Sequence, residues 1–418
     1  MGTKTAQPIS DSQISDAYIY LLGRLLITRQ QQADFAEGMK WNELVHREPG
    51  KVDWPNPNLD VAYSEAWVAL DEKSCLLVTV PEIKGRYYVV EFLDGWGETV
   101  ANINERVYPD HPHGLFAVCL EGSKVDVPAG AQRVDVPAKV TRVLLRVELG
   151  ADWDQAIALQ RRFRFEVRGK PELPEVPRTV MFDMAALPGV EAFDSAKLAL
   201  DSAKDPSPLQ DLQAQVLAIV EAIKDPAERA RVDTAIKHKA LRDFADAAPT
   251  IGRGTIRNGW ARPACCGHWG NDWLTRTTVN YGGIWANVFE EVLYYRGALD
   301  STGADLDPHG SYTLTFPADT LPSKFAKYFW SVIAVDRVHR RVLPNPLNRF
   351  LLNKESKIAY GADGSLTLYF APEKPVDAPD GNWLPTRDKP WSLTFRFYGP
   401  RGGVVDGSYY PPALQRRN

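Results

Sequence analysis

Cysteine is scarce: Cys75, Cys119, Cys265 and Cys266 are the four in a chain of 418 residues. That is too few to staple a protein of this length, so its stability has to come from buried apolar surface. Cys75 and Cys119 fall in strand-like runs and read as small buried apolar residues. Cys265, Cys266 and His268 invite a zinc site, yet adjacent cysteines rarely turn both sulfurs to one tetrahedral ion, and no second ligand pair lies nearby. Long apolar runs are missing as well. No stretch of about 18 residues is uninterrupted enough to span a bilayer, and MGTKTAQPIS at the N-terminus has no apolar segment of an export signal. The chain as given is therefore expected to be soluble and cytoplasmic, without a membrane partner. Charge of one sign is lacking too. Forty-nine basic against 53 acidic residues leave a net charge of -4, and no basic run interleaves with aromatics, which argues against nucleic acid as a partner. There is no G-x-S-x-G, glycine-rich phosphate loop, H-E-x-x-H or dinucleotide fingerprint. Serine-hydrolase, nucleotide and zincin chemistry are disfavoured, and no cofactor is expected.

What the chain does have is apolar and aromatic residues in globular proportion, 44% and 11%, enough for two domains or three, each with its own core. Ser10-Asp-Ser-Gln13 is a capping-box pattern, and Ile14, Tyr18, Leu21, Leu22, Leu25 and Leu26 recur at helical spacing in a pattern running to about residue 48. From Val61 the period becomes two. VAYSEAWVAL, CLLVTV (75–80), RYYVVEFL (86–93), TVANIN (99–104), LFAVCL (115–120) and KVTRVLLRVEL (139–149) read as strands between turn residues. Asp152 is a candidate cap for a helix from Trp153 to Phe165. Residues 170–189 carry four prolines and read as a surface linker, and 190–250 read as helical. A helix is expected within 271–287, then strands at EEVLYYRGALD, YTLTFP (312–317), KYFWSVIAVD (327–336), SLTLYFA (365–371) and WSLTFRFY (391–398). In the last, Trp391, Leu393, Phe395 and Phe397 share a core face. Ser392, Thr394, Arg396 and Tyr398 share the other, which is either wet or lines a cleft. Short strands with no helices between them imply antiparallel sheets folded as a sandwich or barrel.

PNPNLDVAYSEAW with VTVPEIKGRYYVVEFLDGW resembles the bacterial domain of unknown function 1254. WGNDWLTR, ANVFEEVLYY, FWSVIAVD, NPLNRF, DGSLTLYF, NWLP and LTFRFYGP resemble its usual C-terminal companion, the domain of unknown function 1214. The resemblance covers about three quarters of the chain. It implies a mainly β fold with helical segments: two jelly-roll-like antiparallel β-sandwich domains joined by a helical connector, often in oligomers, with no settled activity. The expected division is 10–168 for an N-terminal helix plus the first sandwich, 169–260 for the helical, proline-rich connector, and 261–412 for a helix plus the second sandwich. Val61 stands where the family usually has threonine, and Tyr409 or Tyr410 where it has tryptophan.

The loop before the first strand is the candidate site. Asn56, Asn58 and Asp60 either form an Asx turn that fixes their own backbone or project into a cleft. In the second reading Asp60 is the acid or base, Tyr63 and Tyr87 orient it, and Arg86 supplies charge to an oxyanion or a substrate carboxylate. Arg86 and Asp94 lie about 26 Å apart on one strand face, so each needs a partner elsewhere. Trp54, Trp67 and Trp96 are either stacking platforms or core plugs. Asn348 and Arg349 in PNPLNRF, with Asn382 and Trp383 in NWLP, are the substrate-binding candidates of the second domain. A buried glutamate at 290 or 291 would need a partner such as Arg349 or Arg396. His111 and His113 form a weak metal alternative lacking further ligands. The chemistry implied is that of a hydrolase or lyase on a small polar or carbohydrate-like molecule. The alternative is a non-catalytic glycan-binding or assembly module, for which Trp54, Trp96 and Trp383 matter more.

Overall fold

The computed structural model describes residues 9–49, 56–387 and 389–417, so the expectation for Trp54 lies outside them. Helix α1 (Asp11–Ala36) opens with the predicted capping box: the Gln13 amide donates to the Ser10 hydroxyl at 3.3 Å, and Gln13 Oε1 accepts from the Ser10 amide at 2.9 Å. It stops at Ala36, short of the pattern's end, and the chain then adds a short edge strand, β1 (Val45–His46). Every residue from Ala17 to Thr28 is buried. A helix apolar on all sides is an axis rather than a surface helix, and α1 is the axis of a helical layer.

The first group of strands is β2 (Val61–Ala69), β3 (Cys75–Val80), β4 (Tyr88–Leu93), β5 (Thr99–Ile103), β6 (Gly114–Leu120), β7 (Gln132–Val136), β8 (Val140–Glu148) and, after helix α2 (Trp153–Gln160), β9 (Arg164–Arg168). They make one sheet ordered β1-β2-β8-β4-β5 and another ordered β7-β6-β3-β9. Asp152 caps α2 by accepting from the Gln155 amide at 2.9 Å. The helix is shorter than its pattern because 164–168 pairs with β3, Phe165 opposite Val78.

The helical layer follows: α3 (Ala196–Asp201), α4 (Gln210–Ala222), α5 (Pro226–Ala235) and α6 (Leu241–Ala247), packed around α1 through Phe193, Val216, Ile219, Val232, Ile236 and Phe244. Strands β10 (Thr255–Arg257) and β11 (Trp260–Arg262) precede helix α7 (Trp273–Gly283). The second group is β12 (Val292–Gly297), β13 (Tyr312–Phe316), β14 (Ala326–Asp336), β15 (Leu351–Asn353), β16 (Leu366–Ala371), β17 (Trp383–Pro385), β18 (Trp391–Pro400) and, past helix α8 (Gly403–Asp406), β19 (Gln415–Arg416). Its sheets run β10-β11-β12-β18-β14-β15 and β17-β16-β13-β19, and no sheet of described strands closes into a barrel. The fold is mainly β with helices. Among the described residues no helix is long and apolar enough to cross a membrane.

Each pair of sheets shares an apolar core. Ala62, Val68, Val90, Phe92, Val143 and Leu145 meet Leu76, Val78, Phe116 and Val118 in the first. Trp330, Val332, Leu393 and Phe395 meet Leu314, Phe316, Leu368 and Phe370 in the second. The larger sheets then pack against each other through their outer faces. Val61, Tyr63, Trp67, Tyr87, Val89 and Leu144 of the first touch Val292, Phe329 and Tyr398 of the second, with Ile284 and Trp285 from the end of α7. Strands β2, β4 and β8 are thereby buried on both faces, and the polar members of their alternation lie inside the protein.

Candidate functional site

The loop 56–60 crosses between the two pairs of sheets. Asn56 has φ +52°, a left-handed conformation that asparagine tolerates better than most residues. Its side-chain amide donates to the Gly282 carbonyl, its Oδ1 accepts from Thr394 Oγ1 at 2.8 Å, and its backbone amide donates to Arg340 O at 2.9 Å. Asn58 Oδ1 accepts from the Asp60 amide at 2.8 Å, which is the Asx turn, while its Nδ2 donates to the Tyr398 hydroxyl. Both asparagines therefore hold the two halves of the molecule in register.

Asp60 faces an open cleft of about 540 Å³ whose walls include Glu148, Trp153, Asn348, Arg349, Asn353 and Lys354. Its Oδ1 accepts from Asn353 Nδ2 at 2.7 Å, and its Oδ2 meets no donor at bonding distance among the described residues. Burial pushes the Asp60 carboxyl up from its ordinary value and the charge of Glu148 adds to this. Asn353, the Ser331 hydroxyl beside it and the charge of Arg396 pull the other way. Glu148 accepts from Lys354 Nζ at 2.7 Å and from the Tyr87 amide at 2.9 Å. β2 and β8 pair with Val61 opposite Glu148, and Glu148 shares the cleft wall with Asp60, near enough for its charge to act on that carboxyl. Trp153 is 50% exposed on the rim.

The expected constellation around Asp60 is not assembled. Tyr63 turns to the interlayer, where the Arg146 guanidinium lies 5.6 Å from its ring. Tyr87 donates to Glu291 Oε2 at 3.1 Å, so neither tyrosine orients Asp60. Arg86 lies behind the lining residues and donates to Glu148 O, Leu149 O at 2.6 Å and Gln155 Oε1 at 2.9 Å. It braces a wall and faces no substrate position. Trp96 is fully buried in the helical layer, its indole N–H on Ala203 O at 3.0 Å and Arg276 4.5 Å from its ring; it is a core plug. Trp67 is another, donating to Asp34 Oδ2 at 2.8 Å. Asn382 bonds the backbone of Ala359 and Thr367, and the Trp383 indole donates to Ala371 O at 3.0 Å, so NWLP is scaffold. Asn348 and Arg349 do reach the Asp60 cleft, although Arg349 also donates to Asp380 O and Trp383 O.

Glu291 is the buried glutamate, but its partners are Arg106 at 2.6 Å and Asn104 at 2.8 Å, not Arg349 or Arg396. Asp94 accepts from the amides of Trp96 and Glu98 within its own turn. His111 packs on Phe116 and His113 lies 3.9 Å from Glu82. Cys265 points at Asp272, while His268 bonds Thr99 O at 3.1 Å. Among the described residues no three potential ligands converge on a metal position.

A second hollow, about 100 Å³, lies within the interlayer against Asn56, Asn58, Tyr63, Arg146, Tyr294 and Arg396. Reasoning from sequence missed Glu148, Asn353 and Lys354 at the cleft and Arg146 at this cavity. For Glu148 the signal was its place on the outward face of KVTRVLLRVEL; for Asn353 and Lys354 there was none.

Residues 41–167 match the family described as protein of unknown function (DUF1254), and residues 291–402 match that described as protein of unknown function (DUF1214). No curated protein matches the chain. It is similar to the crystal structure of the VPA0106 protein from Vibrio parahaemolyticus, with a TM-score of 0.64 and 20% identity over 98% of this chain and 100% of that one. It is more distantly similar to a putative uncharacterized protein from Burkholderia cenocepacia, with a TM-score of 0.47 and 15% identity over 96% and 86% of the two chains. The first likeness is one of fold.

Proposed function

We infer the function of this chain, which belongs to the bacterial two-domain family joining domain of unknown function 1254 to domain of unknown function 1214, from its open cleft: we propose an enzyme that acts on a small polar or carbohydrate-like molecule by hydrolase or lyase chemistry. The observation that carries this reading is Asp60, a carboxyl raised by burial on the wall of a cleft, with a second carboxylate, Glu148, beside it and tied to Lys354. Two carboxyl groups in unlike environments divide the acid and base roles. Asp60 is the proton donor, Glu148 the lysine-paired partner, Asn348 and Arg349 bind substrate hydroxyls, and the half-exposed Trp153 stacks on an apolar sugar face.

The test is a panel of p-nitrophenyl glycosides, sugar lactones and uronic-acid oligosaccharides against the wild type, D60N and E148Q. The expected result is product from at least one class and a loss of about 10²–10⁴-fold in D60N with little change in melting temperature. Unchanged turnover with a large loss of stability would make Asp60 scaffold. Saturable binding without product favours the second reading, a glycan- or ligand-binding module, for which Trp153 on the rim speaks; W153A then abolishes binding. We further read each pair of sheets as a jelly-roll-like sandwich, 169–260 as the connector between the two, and the protein as a homo-oligomer, which light scattering checks.

A further inference from the structure

Arg396 is 1% exposed, and among the described residues no carboxylate bonds it. Its Nη2 donates to Asn56 O at 2.9 Å and Pro57 O at 3.2 Å, while Nε and Nη1 have no partner among the described residues. A buried cation without a counter-charge is costly, by several kcal/mol even after relaxation. Asp60 is the acid in electrostatic range, but it bonds Asn353 and lines the other hollow. Arg396 lines the interlayer cavity together with Arg146, Arg296 and Arg340, and no Asp or Glu is found among the described lining residues. Arg146 is neutralised by Glu91. Arg296 donates to the carbonyls of Ala248 and Pro249, and Arg340 lies over the Tyr281 ring at 5.1 Å. Three arginines without a bonded carboxylate among the described residues thus line one small space.

The remaining wall is apolar: Leu144, Ile251, Val279, Ile284 and Trp285. The cavity also shares a wall with the surface. Asn56, Arg296 and Arg340 belong both to this cavity and to an outer cleft of about 420 Å³ that Arg337 and Asp305 border. Arg337 is paired with Asp305 at 2.8 Å, which leaves Arg296 and Arg340 to draw an anion inward.

We propose that the interlayer cavity is a second binding site, separate from the Asp60 cleft, which takes a small monocarboxylate with its carboxylate on Arg396 and its apolar body against Ile284 and Trp285. A carboxylate supplies the missing charge and accepts from the unpartnered guanidinium N–H groups. The apolar wall selects against inorganic anions, which carry no apolar surface.

Isothermal titration of the full chain with formate, butyrate and benzoate, each paired with its amide at matched ionic strength, tests this. The expected result is one-to-one binding of butyrate or benzoate, at least ten-fold weaker binding of the amide and of formate, and at least ten-fold loss in R396M. Should R396M not fold, R396K, which keeps the charge and loses the planar fork, has to weaken the acid while leaving the amide unchanged. Silence from all three acids, equal binding of acid and amide, or undiminished binding in the folded variant overturns the proposal. W153A, which alters the rim of the open cleft and no residue of the cavity, is expected to bind the carboxylate as the wild type does, so failure of one site is distinguishable from failure of the other.

Discussion

The cores inside the two sheet pairs and the layer between the pairs are made by the same strands, yet they differ in chemistry. Inside each pair the core is built of Leu, Val, Ile, Phe and Trp with some Ala and Tyr. Between the pairs, β2, β4 and β8 offer Glu65, Glu91, Arg142, Arg146 and Glu148 among their apolar residues, all buried. Glu65 and Arg142 pair directly, with Asp34 at 3.4 Å and Trp67 5.3 Å from the guanidinium. Glu91 pairs with Arg146, which also donates to Trp285 O at 2.9 Å. Buried ion pairs add little net stability over apolar replacements but fix which groups must meet. The apolar cores hold each half together, and the ionic layer sets how the halves dock. The site-bearing hollows lie in and beside the ionic layer because a well-packed apolar core leaves neither space nor polar groups.

The comparison is broken most severely by unequal damage to its two sides. F395A, in the core of the second pair, is expected to cost about 3–5 kcal/mol as a cavity opens, read as a lower denaturation midpoint. R146M is expected to cost about as much, roughly 3–5 kcal/mol, but for a different reason: it strands Glu91 in a dry layer. The double variant E91L/R146M separates the two causes. It is expected to recover most of the loss in R146M, and failure to do so would mean that the pair is needed for packing.

Glu98 sharpens the electrostatic side. Burial, with the charges of Asp94 and Asp205, pushes its carboxyl up to about 7 from 4.5, against the Trp269 amide and Arg276. Because the folded protein holds this proton more tightly than the unfolded chain, stability is expected to fall as pH rises from about 4.5 to 7. Asp94, pushed up to about 6, contributes in the same sense. E98Q should remove part of that slope and stabilise the protein at pH 8 by on the order of 1–3 kcal/mol, measured by chemical denaturation across the range. The smallest effect is expected from S10A, about 1 kcal/mol from loss of the α1 cap, since it touches neither layer.

Much of the fold was legible because it rests on local alternation. CLLVTV is β3 to the residue, and Trp391, Leu393, Phe395 and Phe397 lie on the core face as their period required. The cap of α1 and the Asn58–Asp60 turn were legible for the same reason, since both partners lie within three residues. Strands β7 and β9 were not, because Gln132–Val136 and Arg164–Arg168 are short edges recruited by neighbours already in place. The partners of Glu291 and the seat of Trp96 depend on residues more than a hundred positions away. No spacing rule reaches that far.

Taken alone, the order of residues settled the long strands, their two faces and the starts of α1 and α2, because backbone sterics and side-chain period act over a few positions. Only the docking of one sheet pair on the other decided that the polar face of β18 is dry, that Asp60 meets Asn353, and that Arg396 is left without a carboxylate partner among the described residues. Burial from both sides is a property of the assembled layers, and it is burial that gives those charges their chemistry.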